Sequence, residues 1–367
     1  MESLNVALAS ARPGDTVTVP VGVHPGPFRI SGVTLVAEAP GATLLGPIVL
    51  LSGTLEGLTL KGAPTARPST AGSQRRPQTR AALVDIPSGS STLAGCRING
   101  TVRVGPGSIA QIRRNHISCA VGAGVELNGT ADGCEVSENT IEARGGAGIA
   151  VRRHARALLS SNRVLCSGGA GIEVAARAAA KVIQNTVHDG CGQGVLVHDG
   201  ASAELLDNDI RRNFSSAVEL SGEGTSAVLS GNTLRDGQSG VGLLIHRRAH
   251  AVATDNDIGG HPIANVEVGE GSAPTLERNV LEGSRGVGLL LAPLPLPLPL
   301  PLHLPLTLAL TLLLPLPLPL PLPLSRCGPA ARAGRGRHLP AQHGAPQRAC
   351  GDRVLQCRAR GSAARLQ

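Results

Sequence analysis

Two matching triplets, Asp207-Asn208-Asp209 and Asp255-Asn256-Asp257, hold the carboxylates most suited to chemistry in this chain. Paired carboxylates at a set separation can divide acid and base roles at a glycosidic bond, so Asp207, Asp209, Asp255 and Asp257 are the catalytic candidates. A second acidic series, Glu126, Glu173, Glu219 and Glu267, recurs at wider spacing and offers a binding surface. His188-Asp189 and His198-Asp199 are imidazole–carboxylate neighbours, but no nucleophile is positioned beside them for a hydrolytic triad. His246 and His250 have the i, i+4 spacing of a metal pair, which has that meaning only on a helix. Neither a metal site nor a cofactor is expected.

These residues must be positioned by whatever sets the period around them. Eight asparagines recur at Asn115, Asn139, Asn162, Asn185, Asn208, Asn232, Asn256 and Asn279, spaced 24, 23, 23, 23, 24, 24 and 23 residues apart. A fixed period of that size marks a solenoid. Three residues before each asparagine stands an aliphatic (Ile112, Val136, Leu159, Val182, Leu205, Leu229, Ala253, Leu276), and two after stands another (Ile117 through Leu281). Small residues, such as Ala110, Ala180 and Ala203, precede by five. That alternation puts the side chains on one face of extended chain. About ten and twelve residues later comes a second aliphatic pair, as at Val125/Leu127 and Ile172/Val174, with Val241/Leu243 taking those places one residue early in the Asn232 coil.

The alternating runs are too short for helices and are separated by glycines. The sequence therefore predicts an all-β, right-handed parallel β-helix solenoid of about 23 residues per coil. Neighbouring coils lie ~4.8 Å apart. The asparagines read as an inward-facing structural ladder, each amide bonded to the next. Triplets two coils apart would set matching carboxylates ~9.6 Å from each other, near the upper limit for inverting glycosidases. A single coil cannot stand alone, and the ends need caps. Ser3 to Ala11, with Leu4, Ala7, Leu8 and Ala11 on one face, reads as a short N-terminal cap helix.

The opening Ala7-Leu-Ala-Ser-Ala-Arg-Pro-Gly-Asp-Thr-Val-Thr-Val-Pro20, with Gly53-Thr-Leu-Glu-Gly-Leu-Thr-Leu60 and the repeated Asn139-Thr140-Ile141 and Asn185-Thr186-Val187, resembles the pectin-lyase-like superfamily. It is similar in particular to the right-handed β-helix domain of nitrous-oxide-reductase maturation proteins and F-box-only substrate receptors. The resemblance implies the fold over roughly residues 3–291 and leaves activity open, because one fold carries many functions. Enzymes of this superfamily imply polysaccharide lyase or hydrolase chemistry. Their Asp-Asp, Gly-His-Gly and Arg-Ile-Lys signatures are missing here, as is any tryptophan.

The net charge of +8 invites a nucleic-acid reading until it is located. Residues 325–367 hold nine arginines and one acid, Asp352, which carries the whole excess. The remaining 25 basic and 25 acidic residues of positions 1–324 cancel. A neutral solenoid with two phenylalanines and no Trp or Tyr lacks the basic stripe and stacking platform that nucleic acid requires. The cysteines form no CxxC, and Cys119 and Cys166 at equivalent sites two coils apart exceed disulfide reach. Met1-Glu2 leads directly into the cap helix, so the cytoplasm is the default compartment.

The domain reading is a β-helix over 1–291, with a flexible insertion at 62–80, a Pro-Leu low-complexity segment at 292–324 and a disordered basic tail at 325–367. A slipped reading frame beyond the Pro-Leu tract would explain the loss of the repeat in that tail. The tract is apolar enough for a membrane span, but its alternate prolines forbid a helix. No transmembrane span is expected. The function that follows is a non-catalytic scaffold that presents a face to a protein or carbohydrate partner. The alternative is a polysaccharide lyase or glycoside hydrolase using the aspartates.

Overall fold

The structure, a computed structural model, describes residues 4–62 and 82–291. The expected insertion beyond Gly62, the Pro-Leu segment and the basic tail lie outside the described residues. Three short strands make each coil, and every strand pairs in parallel with its counterpart in the coils before and after. In the Asn139 coil these are Cys134–Ser137 before the asparagine, Thr140–Ala143 after it and Ile149–Arg152 beyond the next corner. The three sides are called here the leading, following and far faces.

The following face is a 12-stranded sheet, while the leading and far faces join in one 22-stranded sheet. The joint is made near the N-terminus, where Phe28–Ala37 and Ile48–Glu56 run through the corner as single long strands. Inside, the aliphatic columns stack in register: Ile112, Val136, Leu159, Val182, Leu205 and Leu229 are all fully buried, as are Ile141, Val164, Ile210, Leu234 and Ile258. Leu4–Ser10 is helical and closes the N-terminal end, with Leu4 buried and Leu8 and Ala11 packed on the core.

The asparagine ladder is continuous. From Asn115 to Asn256 each Nδ2 donates to the Oδ1 one coil on, at 3.0 Å for Asn115–Asn139, 3.1 Å for Asn185–Asn208 and 2.8 Å for Asn232–Asn256. The same Oδ1 also accepts the backbone N–H of the preceding asparagine, as at Asn162–Asn185 (2.9 Å). The second amide hydrogen goes back to a carbonyl of the previous coil, Leu159 in the case of Asn185. All donors at this bend are thus satisfied inside an apolar core.

Two local features were hidden in the sequence. The residue before each asparagine is left-handed: Arg114, Glu138, Ser161, Gln184, Asp207, Asp255 and Arg278 have φ between 52° and 56°, and Gly231 has 67°. Such a conformation costs ~1–2 kcal/mol in a non-glycine residue, and the ladder bonds at the same corner hold it. Glycine is required elsewhere, where the chain enters the far face. A Cβ on Gly148 would lie 2.2 Å from Cγ1 of Val164 in the next coil.

One sequence expectation is corrected. In the Asn232 coil the far-face inward pair is Leu243 and Ile245, in register with Val218 and Leu220. The loop before that strand carries one residue more than its neighbours, not one fewer. Val241 is buried in the corner instead. The extra residue is absorbed in the turn, so the strand register on either side is undisturbed.

Candidate functional site

The two Asp-Asn-Asp triplets are placed as the alternation required: their asparagines point inward and their aspartates outward. Asp209 and Asp257 lie on the following face, separated in its column by Thr233. Asp207 and Asp255 occupy the left-handed corner. Arginines engage three of the four. Asp257 receives Nε of Arg235 at 3.1 Å, and Asp209 meets Arg211 at 3.2 Å. Arg278 clasps Asp255 with two hydrogen bonds of 2.8 and 2.9 Å. Those hydrogen bonds hold the Asp255 carboxyl below its usual range, the opposite of what a general acid needs. Asp207 has no ion pair among the described residues.

The four glutamates stand in one column of the far face. Glu126, Glu173, Glu219 and Glu267 share one far-face register with Ala150, Leu196 and Leu244 between them. Three are tied into pairs. Glu126 meets Arg103 at 3.2 Å. Glu173 meets Arg152 and His198, the latter at 3.3 Å. Glu219 meets His246 at 3.2 Å and Gln193 at 2.8 Å. Three of the four carboxylates are thus engaged by Arg, His or Gln side chains of the same face.

His188 and Asp189 do contact, Nδ1 to Oδ2 at 2.6 Å. Arg163 donates its Nε–H to Nε2 of the same imidazole at 3.3 Å, so Nε2 is an acceptor and Nδ1 carries the proton. With Nε2 occupied, this ring cannot take a proton from a nucleophile. Burial would raise the Asp189 carboxyl, but hydrogen bonds from His188 and Arg212 outweigh it and hold the group well below the carboxylate range. The cluster is a structural clasp.

Sequence reasoning missed a second buried polar column at the following corner. Asn213 and His261 are buried there, two coils apart. Asn213 Oδ1 accepts the N–H of Gly190 at 3.0 Å, and His261 Nε2 bonds the Leu234 carbonyl at 3.0 Å. Burial lowers the pKa of His261, and because its partner is a carbonyl oxygen, Nε2 carries a hydrogen. Glycines at 190 and 237 leave room: a Cβ on Gly237 would stand 2.5 Å from the His261 ring. The alternation of glycine with a polar residue at 23- and 24-residue steps was the signal available in the sequence.

It also missed the concave surface. A shallow groove of about 520 Å³ runs along the leading face. Its floor is the small column Ala157, Ala180, Ala203 and Ala227, and beside it the outward register reads Arg156, Ala179, Ser202, Ser226, His250. Arg156 and His250 therefore stand four coils apart, ~19 Å, with only small side chains between them. Lys181 and Glu204 pair at 3.1 Å on the outer rim. None of the aspartate candidates lines this groove. Among the described residues no group of three His, Cys, Asp or Glu could hold a metal ion, and no helix is long and apolar enough to cross a membrane. Cys96, Cys119 and Cys134 are buried free thiols.

Parallel strands, stacked corners and an inward amide ladder define a parallel β-helix, and known proteins agree. Residues 123–281 match the family described as the right handed beta helix region. No curated protein matches the sequence significantly. Among solved structures, the A-module of the Azotobacter vinelandii mannuronan C-5 epimerase AlgE4 is similar at 15% identity and a TM-score of 0.56, over 78% of this chain and 93% of that one. The catalytic unit of an α-1,3-glucanase from Streptomyces thermodiastaticus is similar at 15% identity and a TM-score of 0.53, over 77% and 65% of the two chains. A mannuronic acid specific polysaccharide lyase from human gut microbiota is similar at 15% identity and a TM-score of 0.50, over 77% of each. At these identities the likeness is one of fold.

Proposed function

We propose that this chain is a non-catalytic recognition scaffold that holds a linear, anionic polysaccharide along its leading face. The observation that carries the reading is the groove bounded by Arg156, which pairs with the exposed Asp132 at 3.6 Å, and by His250, on a face that none of the four aspartate candidates lines. Its length, over several coils, suits an extended polymer lying along the solenoid axis. Basic side chains at its ends and rim suit carboxylates or sulfates. The named activities of the similar structures, all on polysaccharides, favour a carbohydrate over a polypeptide.

Titration calorimetry of the full chain with polymannuronate, and with a neutral glucan as control, tests this. Saturable binding of the anionic polymer is expected. Arg156→Ala with Lys181→Ala should weaken it by about tenfold, ~1.4 kcal/mol. Equal binding of both polymers, or none, overturns it. A saturable protein partner displaced by the same pair of substitutions would move the occupant from glycan to polypeptide. The alternative reading is a polysaccharide-active enzyme, which rests on the neighbours' activities. It requires turnover of a polyuronide that Asp207→Ala and Asp255→Ala both abolish.

A further inference from the structure

Where the chain turns from the far face onto the leading face, the corner residues change from coil to coil. Arg153-His154 and, one coil on, Ala176-Arg177 each place two left-handed residues in a row, with φ of 57° and 62° and of 54° and 60°. Two successive residues of this kind make the mirror-image tight turn that favours Asn-Gly or Asp-Gly. The coil after them has that sequence at the same corner, Asp199-Gly200, with φ of 56° and 71°. Arg153, His154 and Arg177 therefore stand where a small turn residue would be relaxed. Backbone strain of this kind concentrates at binding and active sites.

Stacking turns these corners into a basic ledge beside the groove. Arg156 pairs in register with Ala179, and both line the groove. Two residues back along the same register, His154 lies over Arg177, ~4.8 Å away along the axis, and the His154 N–H donates to the Ala176 carbonyl at 3.1 Å. Arg153, His154, Arg156 and Arg177 are all exposed. Two acids lie nearby and both are engaged: Asp132 is 3.6 Å from Arg156, and Asp199 is 3.0 Å from His198. Arg153, His154 and Arg177 have no ion pair among the described residues. The corner at Arg247-Arg248 repeats the left-handed pair, but there Arg248 meets Glu223 at 3.1 Å.

Elsewhere in this molecule one guanidinium satisfies one carboxylate. Arg278 reaches both oxygens of Asp255 at 2.8 and 2.9 Å, and Arg212 reaches both of Asp189 at 2.9 and 3.2 Å. A sulfate half-ester has three equivalent terminal oxygens, so it takes charge-assisted hydrogen bonds from more than one side chain. We propose that Arg153, His154 and Arg177 form a sulfate subsite at the edge of the leading-face groove, so that the polymer held there is a sulfated glycan. The inference rests on the groove reading above and names the class of its ligand. Donors from two successive coils converge on one sulfate, while the chain bearing it runs along the groove past Arg156.

The test titrates the full chain calorimetrically with sulfated dextran and with polymannuronate, matched in length and charge spacing, at one ionic strength. The sulfated polymer should bind at least about tenfold more tightly. Arg153→Ala with Arg177→Ala should remove that preference and leave the polymannuronate affinity within about twofold of the wild type. Ala176 already occupies this turn, so the fold accepts the change. Arg97→Ala with Arg114→Ala removes the same charge from exposed residues away from the ledge and should leave the preference intact. Arg177→Lys keeps the charge and loses the planar fork, so it should weaken the sulfated polymer by about threefold. Polymannuronate bound as tightly as the sulfated polymer overturns the subsite and leaves the groove reading standing. So does a preference that the Arg97 and Arg114 substitutions remove equally. Failure of both polymers to bind overturns both readings. Oligothymidylate bound as tightly as sulfated dextran overturns the glycan and puts a phosphodiester on the ledge.

Discussion

One corner of the coil is filled in two ways along the axis. From Asn115 to Asn279 an amide occupies it, and each amide bonds the next. In the two preceding coils the same register position holds Cys96 and then Leu58. Cys96 copies the amide's bonds with a thiol: Sγ donates to the carbonyls of Leu55 or Ala94, both 3.4 Å away, where an asparagine Nδ2 would bond. Its own N–H still donates to Asn115 Oδ1 at 2.9 Å. Leu58 is buried with no polar side-chain group to satisfy. The fold therefore does not require asparagine at this bend; it requires that every polar group brought there has a partner. Cysteine is the adaptor between an apolar stretch and a polar one.

Exchanging residues between the two stretches tests this contrast. Asn185→Leu, in the middle of the amide run, leaves Asn162 with a buried N–H and Nδ2 lacking their acceptor. It should cost about 3–5 kcal/mol, read from the urea unfolding midpoint. A loss below about 1 kcal/mol breaks the comparison. Leu58→Asn, which puts an amide where no partner amide lies beneath it, should cost about 2–3 kcal/mol in the same assay.

A third expectation concerns pH. Desolvation by burial, only partly offset by nearby backbone hydrogen bonds, raises the Cys96 thiol from 9.0 to about 11. The unfolded chain loses that proton first, so the contribution of Cys96 is complete below pH 9 and is lost as pH rises towards 11. The loss is of the order of 2 kcal/mol. Cys96→Ala should remove this part of the alkaline decline in stability. Cys96→Asn, which lengthens the ladder downward by one rung, should stay within about 1 kcal/mol of the wild type. The smallest effect belongs to the exposed clasp: Arg278→Ala should leave the unfolding midpoint unchanged.

What could be read from the sequence divides along the same lines. The ladder and the aliphatic columns were legible because one residue type, or one class, repeats at each step. The left-handed column was not, because Arg, Glu, Ser, Gln and Asp all serve there and it is the geometry that repeats. Two of the triplet aspartates have their arginine a coil away: Arg278 is 23 residues beyond Asp255, and Arg235 is 22 before Asp257. In a solenoid the contact neighbours of a residue are found by adding the period. The groove was missed for another reason. The small residues five before each asparagine were read only as sharing one face of the extended chain, while Ala157, Ala180, Ala203 and Ala227 also line the groove.

The ladder also gives the molecule a direction. Every amide oxygen accepts from the coil before it, and every Nδ2 from Asn115 to Asn256 donates to the coil after it. Eight side-chain dipoles therefore line up head to tail, as peptide units do in a helix. The column ends on oxygen at Asn115, where the Cys96 N–H meets it, and on hydrogen at Asn279. A coil built onto the N-terminal side must bring a donor to this corner, and one built onto the C-terminal side must bring an acceptor. The solenoid is a vector, and its two ends are not interchangeable as places to grow.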